Sequence, residues 1–161
     1  TMDHRVKPTK DMLADAGLPG TWISKNPDGS QSRTVVSWVA GEHVLKYERF
    51  EQAAVGGEWT SSSLFVWYWD DHHDHIATMY LDDHGTVIHG SVESISKSGD
   101  TVTIISNHEG NRYYDLTMST QAKQVVTPNS ITNSWTGMSL NGQRHKLSWS
   151  EGSSTTERAK K

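Results

Sequence analysis

The sequence predicts an all-β protein: an antiparallel up-and-down β-barrel of about ten strands with a short N-terminal helix. Two observations carry this. Runs rich in Val, Ile, Thr, Tyr and Trp recur at fairly even spacing, and pairs or triplets containing Gly, Asn or Asp separate them. Short connections make neighbouring strands antiparallel, and a long meander without crossover helices closes most naturally on itself, which leaves no edge strand.

Taken in order, residues 8–16 carry the only helical pattern, with Gly17 as its stop. The first strand, 20–26, ends at Pro27-Asp28-Gly29, and the second, 31–39, at Ala40-Gly41. Strand 42–51 runs to a loop at Gly56-Gly57, and 58–69 follows it. A hairpin centred on His72 leads to strand 75–81, and the turn from Asp82 to Gly85 leads to 86–95. Ser98-Gly99 precedes 101–108, and Gly110-Asn111 is read as a two-residue loop before 112–120. Asn141-Gly142, the strongest hairpin signal in the chain, joins 130–139 to 143–150. The expected organisation is an arm and short helix at 1–19, one barrel domain at 20–150, and a flexible polar tail at 151–161.

Composition narrows the function. A length of 161 residues with 34% hydrophobic content suits one domain with a modest core. A net charge of -4 without a basic stripe argues against nucleic acid as a partner. No apolar run reaches the roughly 18 residues that a spanning helix needs, so the chain reads as soluble, with the cytoplasm favoured. The absence of cysteine removes disulfides, thiolate nucleophiles and Cys-ligated zinc. No Gly-x-Ser-x-Gly, phosphate-binding glycine loop or dinucleotide fingerprint occurs, and no cofactor is expected.

Alternation along each strand sets the faces, and a slip of one residue reverses every assignment on a strand. Turning at His72 pairs Trp69 with His75, Trp67 with Ala77 and Phe65 with Met79. Continuing through the later turns gives three rows on one wall. These are Trp69, His75, Glu93, Thr103 and Met118; Trp67, Ala77, Ser91, Ile105 and Leu116; and Phe65, Met79, His89, Asn107 and Tyr114. The opposite face then carries Tyr68, Val66, Thr78, Gly90, Ser106, Asp115 and Tyr113, a surface that a helix or second subunit could cover. Ala40-Gly41 pairs Thr34 with Tyr47 and Val36 with Leu45, which lets Tyr47 join the lumen. Asn141-Gly142 pairs His145 with Met138.

On this register Phe65, Trp67, Trp69, Met79, Asn107, Leu116 and Tyr47 are the expected ligand-lining residues, with small Ala77 and Ser91 leaving room. His89, Asn107 and Tyr114 fall side by side. Either Asn107 and Tyr114 satisfy a buried imidazole, or His89 shuttles a proton while Tyr114 polarises a substrate oxygen. Glu93 with His75 is the alternative acid–base pair. The run from Asp70 to His75 has donor types for a divalent metal, and His73-x-His75 invites comparison with a cupin motif. A cupin, however, needs a Glu a few residues on, where Met79 and Tyr80 stand. The turn is therefore read as solvated and no metal is assigned.

Gly20-Thr21-Trp22 after a short helix resembles the Gly-x-Trp opening of lipocalins and fatty-acid-binding proteins. With the Gly turn at Gly41-Glu42-His43-Val44-Leu45 and the aromatic-Asp hairpin at Trp69-Asp70, the stretch from Gly20 to about Trp149 resembles bacterial lipocalin-like, calycin-type barrels. That resemblance implies an internal cavity and no particular reaction. The expected function is binding of a small apolar or aromatic organic molecule in the lumen. The alternatives are a cofactor-free isomerase, cyclase or lyase using the lumen His, Tyr and Glu, and a domain that forms a homodimer.

Overall fold

The computed structural model describes Thr9, Leu13 and residues 16–112, 116–141, 143–144 and 153–160. Among the described residues eleven strands are present: β1 (Gly20–Lys25), β2 (Gln31–Val39), β3 (Val44–Gln52), β4 (Thr60–Asp70), β5 (His75–Asp82), β6 (Val87–Ser98), β7 (Thr101–Arg112), β8 (Leu116–Val126), β9 (Ser130–Leu140), β10 (Gln143–Arg144) and β11 (Ser153–Arg158). Each pairs antiparallel with the next from β1 to β9. The ring closes because β11 lies between β9 and β1, with β10 continuing the same side of β9. The result is a closed barrel ten strands around, an architecture of the calycin kind. The helix expected over 8–16 falls largely outside the described residues. No helix among those residues is long and apolar enough to cross a membrane.

The polar segment expected as a loose tail instead contributes β11, whose Thr155 and Thr156 pair with Thr132 and Ile131 of β9. Threonine suits a pleated, half-exposed strand despite its polarity, and closing the ring satisfies two open edges at once. Gly110 and Asn111 are not a turn either. They continue β7 opposite Ile88 and Val87, and β8 runs on to Val126. A side chain at Gly110 would strike the Val87 carbonyl, so the glycine marks close backbone contact.

The decisive difference is at the Trp-and-His hairpin. Asp70 pairs with His75 and Trp67 with Thr78 across a four-residue turn, one residue off the expected register. The Asp70 carboxylate accepts from the amides of His72 and His73 at 3.0 and 3.2 Å, and Asp74 takes a left-handed φ of 57°, which together build this turn. The even-numbered residues of β5 and β7, and those of β6 before its bulge at Glu93, therefore face inward, and the odd-numbered ones expected in the lumen face out. The β2–β3 turn also differs, with Val36 opposite Tyr47, but a shift of two residues preserves the face. The register at Asn141 is as expected, Gln143 opposite Leu140; His145 lies outside the described residues.

The core is apolar and continuous, with Trp22, Val36, Leu45, Trp67, Ile76, Ile104, Val126 and Ile131 from the strands. Leu13, Ala16 and Leu18 from the N-terminal segment join it. Because the strands alternate in direction, that segment, the turn after β8 and the end of β11 share one end of the barrel. Arg158 seals it: its guanidinium lies 4.2 Å from the Trp22 ring centre and donates to the carbonyls of Gly17, Pro19 and Pro128 at 2.6, 2.9 and 2.8 Å. The Trp22 indole donates to the Leu18 carbonyl at 2.9 Å.

Candidate functional site

Above that sealed end, β3 and β4 bring three aromatic rings together on the inner face. Tyr47 and Phe65 are cross-strand partners with centroids 5.6 Å apart at 72°. Phe65 and Trp67 lie two apart on one strand, at 5.4 Å and 76°, and Tyr47 and Trp67 are 6.3 Å apart. Edge-to-face packing of this kind is the preferred geometry for aromatic pairs. Trp69 packs against the core one step nearer the sealed end. Four of the expected ligand-lining residues, Tyr47, Phe65, Trp67 and Trp69, are thus on one inner wall.

The wall holds two polar atoms that nothing satisfies. The Tyr47 hydroxyl and Trp67 Nε1 are buried and have no hydrogen-bond partner among the described residues. Burial pushes the Tyr47 phenol well above its usual pKa; the Trp67 indole pulls the other way but does not reach hydrogen-bonding geometry. A buried donor left without a partner costs about 1–3 kcal/mol.

Beside Trp67 the inner row continues through Thr78, Gly90, His108 and Thr120. A side chain at Gly90 would collide with His108 Nδ1 and Thr78 Oγ1, so the glycine makes room for the imidazole. His108 Nε2 is 2.7 Å from Ser106 Oγ, and Nδ1 is 3.4 Å from Thr78 Oγ1. Burial lowers its pKa to about 4, so the ring is neutral near pH 7. Sequence reasoning missed His108 because the reversed register placed it outside. An isolated glycine within a strand was the available signal.

The remaining expected residues lie elsewhere. His89 is exposed on the outer face, opposite Met79 and Glu109, while Asn107 stands opposite Ser91 and Gln121. Met79, Asn107, His75 and Glu93 share that outer face and do not line the lumen. Tyr114 and the Leu116 side chain lie outside the described residues, and His89 and Asn107, expected side by side, instead pair with Glu109 and Ser91. Glu93 bulges out of β6 and accepts from Gln121 Nε2 at 2.8 Å and Asn107 Nδ2 at 3.4 Å. Asn107, Gln121 and His89 border an open groove of about 820 Å³ that also reaches His75 and Tyr68. The chain matches no family model, no curated protein and no solved structure, so similarity to known proteins assigns neither wall nor groove a role.

Proposed function

We propose that the barrel binds a small aromatic or apolar organic molecule bearing a hydrogen-bond acceptor, held against the wall of Tyr47, Phe65 and Trp67. The observation that carries this reading is the pair of buried donors without a partner among the described residues, Tyr47 O–H and Trp67 Nε1–H, amid edge-packed rings. A ligand oxygen placed there would recover both hydrogen bonds while its apolar part buries against the aromatics. The Gly-x-Trp opening and the closed barrel agree with a lipocalin-like chain, whose resemblance implies a cavity. A proton-transfer enzyme is less well supported: His108 is the inward imidazole, and a pKa near 4 is poorly matched to base catalysis at neutral pH.

Tryptophan fluorescence of the full chain, titrated with paired aromatic ketones and their parent hydrocarbons, tests the proposal. Saturable quenching by the ketones is expected. Tyr47→Phe should weaken ketone binding roughly tenfold, the loss of one hydrogen bond, and leave the hydrocarbons unchanged. A flat response to every member of the panel would sink it.

A further inference from the structure

The observed register brings together three side chains that the expected one kept apart. Asp70 ends β4, His75 opens β5 directly opposite it, and His73 sits on the turn between them. We propose that Asp70, His73 and His75 form a binding site for a divalent transition-metal ion on the outside of the barrel. One donor atom from each residue lies within 4.8 Å of the others. His73 Nδ1 is 2.7 Å from Asp70 Oδ2, and the His73 and His75 rings stack 5.6 Å apart at 16°. A metal ion held about 2.0–2.2 Å from each donor sets tetrahedral ligand atoms roughly 3.4 Å apart, so the 2.7 Å His73–Asp70 pair must open slightly and any pair near the 4.8 Å limit must close. His73 can supply the movement, since its side chain is 61% exposed.

Two of the three ligands are anchored rather than loose. Asp70 and His75 are paired strand residues, and the two amide bonds to Asp70 Oδ1 leave Oδ2 directed to the histidine. Two imidazoles and one carboxylate suit zinc, iron(II) or cobalt(II), and three protein ligands leave at least one coordination position free. All three residues line the outer groove, so that position is accessible to a small oxygen- or nitrogen-bearing molecule. A second group, Asp82, Asp83 and His84, has a weaker claim. Its residues are consecutive in the chain, and two of the three, Asp83 and His84, are exposed.

The full chain, free of any affinity tag, is titrated calorimetrically with Zn²⁺ alone and, by visible absorption, with Co²⁺ alone. One equivalent should bind, with Co²⁺ giving ligand-field bands of a low-symmetry nitrogen and oxygen site. His73→Ala and His75→Ala should each weaken binding at least tenfold, while His84→Ala should not. Circular dichroism checks that each variant folds, and exposed His73 decides the matter if the His75 variant fails. No saturable binding of either ion, or binding insensitive to His73→Ala, overturns the site. Loss of binding in His84→Ala alone moves the metal to the other turn and equally overturns it. Lumen binding, read with the ketone panel, should be the same in His73→Ala as in the parent chain.

Discussion

The sealed end of the barrel and the wall above it are built from the same kinds of residue and differ in how their polar atoms are treated. At the sealed end the Trp22 indole has an acceptor and the Arg158 guanidinium has three carbonyls and an aromatic face. On the wall, the Trp67 indole and the Tyr47 phenol have none among the described residues. Two tryptophans in one core, one with an acceptor and one without, set the two regions apart. Buried polar groups are ordinarily paired, so departures from that pattern point to function.

Four substitutions bear on this contrast. Trp22→Ala, in the sealed end, should have the largest effect, a loss of roughly 3–5 kcal/mol in urea denaturation, as for other large-to-small core changes. If it falls within 1 kcal/mol of the parent, that end is not the stabilising region. His108 comes next. Its folded pKa lies near 4, below the ordinary value of 6.5, so the unfolded chain takes up the proton first. The neutral ring's contribution is complete above pH 6.5 and is lost as pH falls toward 4, by at most about 3 kcal/mol. Stability profiles of His108→Gln should lack that slope; an unchanged profile would mean the imidazole is not desolvated.

Tyr47→Phe should have a smaller effect of opposite sign. Removing an unpartnered hydroxyl should leave the ligand-free protein as stable or about 1 kcal/mol more so. A loss of 1 kcal/mol or more would show that the hydroxyl has a partner and would end the contrast. Least of all, Gln121→Ala on the exposed outer network should shift thermal stability by less than about 0.5 kcal/mol. A larger loss would make the outer face a structural centre in its own right.

Much of the barrel was legible in the sequence, because β-branched and aromatic runs between turn residues identify strands almost irrespective of tertiary context. Ten strand positions around the ring were expected. What composition concealed was β11, where Ser153, Ser154, Thr155 and Thr156 look like a polar tail but pair with β9, while Glu157 and Arg158 pair with β1. The site was legible only where face did not depend on counting a turn. Tyr47 kept its face because the β2–β3 register differed by two residues, and Phe65 and Trp67 lie on the strand from which the counting began. The shift of one residue at the Asp70 turn then inverted β5, β6 and β7, hiding His108 and bringing His89 forward. Reading Gly110 and Asn111 as a turn introduced a second odd shift, which returned Met118 to the inner face. Local turn chemistry, in which a carboxylate caps two amides, decided what strand alternation could not.

The placement of β11 has a consequence for how the molecule assembles. Trp22 pairs with Arg158, and the carbonyls of Gly17 and Pro19 wait on a guanidinium 141 and 139 residues away. The meander from β1 to β9 can zip hairpin by hairpin, but closure demands a contact that spans nearly the whole chain, the kind that slows folding. Until the last strand docks, β1 and β9 each present an open edge able to recruit another chain. The six residues that look most dispensable in the sequence therefore stand between a closed barrel and an aggregating sheet.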